Sequence, residues 1–173
     1  MEMCNPPSQE FWEEVLKNTE TANFFHSPTW LAALEKTYSH YTNATVGFNF
    51  NGGNRALINI VADHSKGRFL KKTKHKSMAL GTYGGIISER KLSPEESKDI
   101  FEHLTSGAIN DLNIVGNPLS QLDYPESFPS KSLFTHMIYI DCDFEQLTKR
   151  FSRGHRSNIK QAEKKGVRIR CAD

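Results

Sequence analysis

The chain has 173 residues, 37% hydrophobic and 10% aromatic, which is enough apolar material for a core and excludes a disordered chain. The net charge is +2, but the charges are unevenly distributed. Residues 149–170 carry nine Lys or Arg and one acid, whereas the rest of the chain carries 13 basic and 19 acidic residues. No apolar run approaches the ~20 residues of a membrane span, residues 1–10 lack a signal-peptide pattern, and three scattered Cys suit neither disulfides nor zinc. We therefore expect a cytoplasmic single domain without a metal or cofactor.

Two helices are predicted near the N-terminal end. Ser8 is a suitable N-cap for a helix that ends near residue 18. Ser27 and Pro28 form a second start signal, and the following apolar residues keep helical spacing until about residue 38.

Trp30 lies on the apolar side of the second predicted helix. Core packing is the commoner role for such a residue, and lining a ligand cleft is the alternative. His26, just before this helix, is expected to lie beside the cap rather than to bind a ligand.

Strands are predicted next. Residues 44–50 and 55–62 are rich in β-forming residues and flank Asn-Gly-Gly-Asn at 51–54, a strong hairpin pattern. A third strand is predicted near residues 68–70, and the lysine-rich run at 71–76 is interpreted as an exposed turn.

A fourth predicted strand ends in Gly81-Thr82-Tyr83-Gly84-Gly85. A glycine pair allows positive φ and the close approach of another backbone or of a ligand. The spacing and Lys of a phosphate-binding P-loop are missing. A structural role and a place in the wall of a cleft remain equal alternatives for these residues.

The C-terminal half continues the mixture of helices and strands. Ser93, Pro94 and Glu96 predict a capping box and a helix start. The other predicted features are a helix end at Gly107, a strand at 112–115, a loop at 119–133, a strand at 134–140 and a helix opened by Asp143. This order predicts an α+β domain with one central mixed sheet flanked by helices.

The basic segment is predicted to form a helix with one charged side. At 100° per residue Arg153, Arg156, Lys160 and Lys164 share a face. Ile159, Ala162 and Phe151 would anchor the opposite edge, Gly166 would end the helix, and Val167 with Ile169 would start a strand.

A solvated surface helix is the ordinary interpretation of such a charge run. Here the cations have almost no acid three or four positions away, so their repulsion is uncompensated unless an anion binds. The small residues Ser152, Gly154 and Ser157 surround the helix start, where backbone N–H groups favour a phosphate. These features favour anion binding.

Several short motifs resemble FemAB-type proteins, the peptidoglycan-bridge aminoacyltransferases and related acyltransferases built from GNAT-like domains. The segment between the two halves of those proteins is similar to the pattern formed here by Leu147, Phe151, Arg156, Ile159, Ala162, Gly166 and Val167. The opening phrase FFHSPTWLAAL and the Tyr83-Gly84-Gly85 element also resemble that family. The resemblance implies a GNAT-like domain at 1–150, and at 151–173 a linker helix with the first strand of a second, missing half.

The resemblance also implies a function. FemAB-type proteins transfer an aminoacyl or acyl group to an amine, from an aminoacyl-tRNA or acyl-CoA donor to a phosphorylated acceptor such as a cell-wall precursor. By this resemblance Arg153, Arg156, Lys160 and Lys164 would bind phosphate, and Trp30 with Tyr83, Gly84 and Gly85 would line the substrate cleft. The chain, as an N-terminal half, is expected to be inactive alone.

The residues themselves identify no catalytic group. Serine-nucleophile, zinc-protease and paired-Cys motifs are missing from the sequence, and so is the Q/R-x-x-G-x-G/A loop with which GNAT enzymes bind acyl-CoA. A non-catalytic anion- or RNA-binding module that uses the same basic helix is therefore the alternative. A domain whose basic helix docks on an acidic partner is a third interpretation.

Overall fold

A computed structural model describes residues 1–65, 73–106, 109, 111–120, 122, 124–126, 128–135, 137 and 139–169. The chain divides into two units, Met1–Lys131 and Ser132–Asp173. The fold is a mixture of helices and short strands, which confirms the predicted α+β class. Its GNAT-like character and the boundary after residue 150 stay predictions. No helix in the described part of the chain has the length and apolar character that a bilayer span requires.

The helices begin where local sequence predicts. They are α1 (Gln9–Asn18), a 3₁₀ helix (Phe24–His26), α2 (Pro28–Thr37), α3 (Pro94–Thr105), α4 (Phe144–Arg150) and α5 (Arg153–Lys164). In each α-helix an N-cap oxygen accepts a first-turn backbone N–H, from Ser8, Ser27, Ser93, Asp143 and Ser152 in turn. The predicted helix starts are confirmed, whereas the end predicted at Gly107 lies outside the described residues.

The strands are short and form two four-stranded sheets. They are β1 (Glu2–Cys4), β2 (Tyr41–Asn43), β3 (Val46–Asn49), β4 (Arg55–Ile58), β5 (Val61–Asp63), β6 (Lys74–Ser77), β7 (Ile86–Ser88) and β8 (Leu112–Ile114). The sheet orders are β1-β3-β4-β7 and β2-β5-β6-β8. Only β6 and β8 pair in parallel among the described strands.

One long hairpin joins the two sheets. β2 pairs with β5 and β3 with β4 in the same continuous register, from Tyr41 opposite Asp63 to Asn49 opposite Arg55. Between these pairs the Ala44 N–H donates to the Ile60 carbonyl at 2.9 Å. The predicted hairpin is therefore confirmed.

The prediction of one central sheet is wrong because the next strand is interrupted. β6 pairs with residues 61–63 and β7 with residues 56–58 of the same long hairpin arm. Residues 78–84 leave the ladder between them. This excursion, residues 78–84, breaks the sheet into two and carries most of the Tyr83-Gly84-Gly85 element.

Part of the lysine-rich run is a strand, not the predicted exposed turn. Lys76 in β6 places its Nζ 2.7 Å from Oδ2 of Asp63, which is buried. Burial alone would raise the pKa of Asp63, but hydrogen bonds from Lys76 and Ser65 lower it to about 2. This pairing favours the strand despite its charge. Residues 66–72, with the strand predicted near 68–70, lie outside the described part of the chain.

The long hairpin is apolar on both faces. Residues of even number, such as Phe48 and Ile58, pack in a core cluster with Ile100 and Leu104 of α3. Leu57 on the other face packs in a second cluster with residues of α1 and α2. Successive strand residues point in opposite directions, so a run of apolar residues places apolar side chains on both faces. Each face is covered by one of the two clusters.

The second unit contains two helices, and its described residues contain no strand. The strand predicted at 134–140 is wrong at the positions that can be described, where Phe134 is 99% and Tyr139 is 74% exposed. A β-rich sequence needs a partner strand to supply its backbone hydrogen bonds. Residues 167–169 likewise form no strand.

Candidate functional site: a basic helix face and an aromatic cluster

The first candidate is the basic face of α5, formed by Arg153, Arg156, Lys160 and Lys164. All four side chains are exposed. The expected apolar anchor on the opposite edge is wrong, since Ile159 is 44% exposed and α5 has no buried residue. The helix is closed by a cap at each end.

Those caps are well formed at both ends. The Ser152 Oγ accepts the His155 N–H at 3.2 Å, so that donor is not available to a phosphate. At the other end Gly166 has φ +77°, and the Val167 N–H donates to the Ala162 carbonyl at 3.0 Å. This arrangement is a Schellman motif and confirms Gly166 as the predicted helix end.

Ion pairing distinguishes the basic face from the cations immediately before it. On α4, Lys149 pairs with Glu145 at 2.8 Å and Arg150 with Asp141 at 2.9 Å. Within the described residues, none of the four cations of the basic face forms an ion pair. Arg156 donates from Nη1 to the Lys149 carbonyl at 3.0 Å, a contact that orients its guanidinium without neutralising it. No described carboxylate therefore neutralises the basic face.

The second candidate, in the first unit, is an aromatic cluster of Phe24, Phe25, Trp30 and Tyr83. The Phe25 ring centroid lies 5.4 Å from that of Trp30 and 6.5 Å from that of Tyr83. Phe24 lies 5.8 Å from Trp30 and is 59% exposed. Trp30 also packs at the edge of the core cluster beneath α2. The structure thus brings together Trp30 and Tyr83, which are far apart in sequence.

Two buried polar atoms beside this cluster have no hydrogen-bond partner among the described residues. They are Nε1 of Trp30, a donor, and Oδ1 of Asn59, an acceptor. Asn59 is fully buried, and its Nδ2 makes only a long contact of 3.5 Å with the Phe25 carbonyl. An unsatisfied buried group costs about 1–3 kcal/mol, so each one in a native protein calls for an explanation such as strain, a functional role, or a bound water or ion.

Gly84 and Gly85 are buried and lie where the excursion returns to β7, a position that we call the neck of the excursion. The Gly84 N–H donates to the Val115 carbonyl at 2.9 Å, and the Gly85 N–H to Ser77 Oγ at 2.7 Å. Gly85 has φ +90°. Both predicted uses of a glycine pair, close backbone approach and positive φ, therefore occur here. Of the three Tyr-Gly-Gly residues, Tyr83 is the one whose side chain reaches the aromatic cluster.

The excursion is also held by buried His26. Its Nδ1 accepts the Asn23 N–H at 3.2 Å, and its Nε2 lies 3.3 Å from the Gly84 carbonyl. Both contacts are satisfied by the neutral ring with its proton on Nε2. Burial lowers the pKa of His26. The predicted role beside the helix cap is confirmed, and the link to Gly84 is a contact that the sequence did not indicate.

We expect the free energy of unfolding to decrease as the pH is lowered below about 6.5, the usual pKa of an unfolded histidine. The reason is that the folded protein disfavours protonation of His26. This contribution is fully present above that pH and is lost as the pH falls toward the lower pKa of the folded state. Urea unfolding at several pH values should show a weaker decline for His26→Gln. His64→Gln, at an exposed position, is the control; an unchanged decline in His26→Gln would contradict the assignment.

No group of three His, Cys, Asp or Glu side chains is arranged to hold a metal ion within the described ranges.

Comparison of the chain with models of protein families, with curated proteins and with solved structures finds no match. The FemAB-type resemblance therefore depends on the sequence motifs alone.

Proposed function

We propose that the protein acts as a FemAB-type acyl- or aminoacyltransferase and that the basic face of α5 binds phosphates of its donor or acceptor. The observation that carries the proposal is the free basic face beside the paired cations of α4. Four exposed cations repel one another, and no described carboxylate offsets this repulsion. A polyanion that contacts all four would offset it.

The proposed reaction depends mainly on how the two substrates are positioned. The acceptor amine attacks the carbonyl carbon of an ester or thioester, the C–N bond forms, and the alcohol or thiol of the donor leaves with a proton. Positioning of the two substrates and stabilisation of the developing oxyanion supply most of the acceleration in such reactions. An aminoacyl-tRNA or acyl-CoA donor and a phosphorylated cell-wall precursor all carry phosphates. We place the reaction in the cytoplasm, where these donors are made.

The first unit would supply part of the substrate cleft. The aromatic cluster offers Phe24 as an exposed ring, with Trp30 and Tyr83 joined through Phe25. Nε1 of Trp30 and Oδ1 of Asn59, which have no hydrogen-bond partner among the described residues, would bind a polar group beside those rings. This set supports the cleft assignment of Trp30, Tyr83, Gly84 and Gly85, with the two glycines shaping the loop that carries Tyr83.

The same free basic face also favours a second candidate, a non-catalytic RNA-binding module. Such a module needs only the cations of α5, because phosphate contacts supply most of sequence-independent affinity. Turnover separates the two functions, since only a transferase consumes its donor.

A transfer assay tests the proposal. The protein, expressed from its complete reading frame, is incubated with labelled aminoacyl-tRNA or acyl-CoA and with a phosphorylated, amine-bearing cell-wall precursor. We expect label to appear in the acceptor, and we expect Arg156→Glu with Lys160→Glu to raise KM more than it lowers kcat. Retained RNA binding without transfer from either donor would instead establish the binding module.

A further inference from the structure

A cavity of about 750 Å³ lies in the first unit between α3 and the described residues 122, 124–126 and 128. Its apolar lining comprises Leu92, Phe101, Leu122, Tyr124 and Phe128. This volume is within the range of about 300–1,000 Å³ typical of small-molecule sites. None of these residues belongs to the aromatic cluster or to the basic face.

The sequence builds the cavity from one flank of α3. Ser97, Phe101 and Thr105 recur at helical spacing and line it, while Ile100 and Leu104 turn into the core. The Phe101 ring centroid lies 5.6 Å from that of Tyr124 and 5.0 Å from that of Phe128. Three aromatic rings thus form a floor that favours an apolar or aromatic body.

Lys91 lies at one end of the cavity. There the cavity shares Lys91, Leu92 and Leu122 with a second cavity of about 340 Å³, which Arg90 also lines. Lys91 is exposed and forms no ion pair within the described residues.

Some of the other charges near this end are paired, whereas Glu20 and Arg90, which line the second cavity, form no ion pair among the described residues. Glu89, beside Arg90, is held by two hydrogen bonds from Arg55. On the cavity wall Lys98 lies 3.6 Å from Glu102. Of the two cations that line the first cavity, Lys91 is therefore the one that pairs with no carboxylate of the described residues.

We propose that this cavity binds a small amphiphilic carboxylate. Its apolar body lies on the rings of Phe101, Tyr124 and Phe128, and its carboxylate meets the Lys91 ammonium. A monoanion fits because one lining cation pairs with no described carboxylate, and a charge-assisted hydrogen bond at the edge of an apolar site is stronger than a neutral one. Glu126 also lines the cavity and would favour a cation instead, so the sign of the ligand charge is the decisive variable.

A matched series of probes measures that variable. The ¹⁵N-labelled chain is titrated with 4-phenylbutyrate, its neutral amide and 4-phenylbutylamine, and backbone amide shifts are followed by NMR. We expect saturable shifts at residues 91–105, with the carboxylate binding about tenfold more tightly than the amide and the amine binding most weakly. Equal or tighter binding of the amine, or no saturable shift up to about 10 mM carboxylate, would overturn the proposal.

Variants place the probe in the cavity. Ser97→Trp fills the cavity and should remove the shifts, while Asp99→Trp adds the same bulk at an exposed position outside the lining and should not. Lys91→Ala should weaken 4-phenylbutyrate about tenfold and leave the amide unchanged, in contrast to Lys36→Ala on α2. Shifts that survive Ser97→Trp, or carboxylate affinity that is unchanged in Lys91→Ala, would place the ligand elsewhere.

Discussion

Reversal of two charges on the basic face, by Arg156→Glu together with Lys160→Glu, is expected to abolish binding of the chain to single-stranded RNA. The four cations would become two cations and two anions, so the face would lose its net positive charge. Because both side chains are exposed and neither forms an ion pair within the described residues, the free energy of unfolding should change by no more than ~0.5 kcal/mol per site. Fluorescence anisotropy with a labelled oligouridine measures the affinity, and urea unfolding measures the stability.

The matched control is Lys17→Glu together with Lys36→Glu. These exposed lysines lie on α1 and α2, and their replacement changes the net charge of the protein by the same amount. We expect the control to retain most of the affinity, since contact with particular phosphates and not total charge determines binding. Equal loss in both double variants would mean that α5 has no special role, and full affinity in the α5 variant would exclude the basic face as the site.

Replacement of Gly84 by Ala is expected to cause the largest loss of stability among single substitutions of the excursion. A Cβ at this position would lie 2.5 Å from Ser77 Oγ and 2.6 Å from the Ser77 carbonyl oxygen. The backbone would have to move, which also disturbs the hydrogen bond to Val115 and the contact with His26. Overpacking of this kind costs about 1–3 kcal/mol, measurable as a lower midpoint in urea.

Gly52→Ala is the control for Gly84→Ala. No atom lies within 4 Å of a Cβ built on Gly52, and its φ is not in the left-handed region. We expect its effect on the free energy of unfolding to be within ~0.5 kcal/mol. If Gly84→Ala were as stable as this control, the close packing of the neck would be wrong.

Helix starts were predictable because their causes are local. A side-chain oxygen at Ser8, Ser27, Ser93 or Asp143 needs only the next three residues to form a cap. The left-handed residue at Gly166 is equally local. Each of these positions was indicated by residue type and spacing.

Strands were predicted at the hairpin, where a turn fixes the register, and at β8, where a short apolar run is bounded by turn residues. The hairpin around residues 51–54 was found, whereas β1, β2 and β7 were missed. Each of these has only three residues, and β1 and β7 pair with strands that are distant in sequence. The excursion at 78–84 was also missed. It arises because β6 and β7 pair with the same arm of the hairpin in different registers, and local sequence does not indicate this difference.

The candidate sites divide in the same way. The basic face follows from helical periodicity, but the absence of ion pairs on it required the positions of the described carboxylates. The aromatic cluster depends on the contact between Phe25 and Tyr83, which no local pattern predicts. The cavity beside α3 depends likewise on the packing of Tyr124 and Phe128 against Phe101.

The most direct test of phosphate binding by α5 is the salt dependence of RNA affinity. Four phosphate contacts predict that the logarithm of the association constant falls with the logarithm of salt concentration with a slope of about −2.8, because each contact on a single strand contributes about −0.7. The Arg156→Glu, Lys160→Glu variant should bring the slope toward zero. A wild-type slope near zero, or one that the double substitution leaves unchanged, would contradict phosphate binding by the basic face.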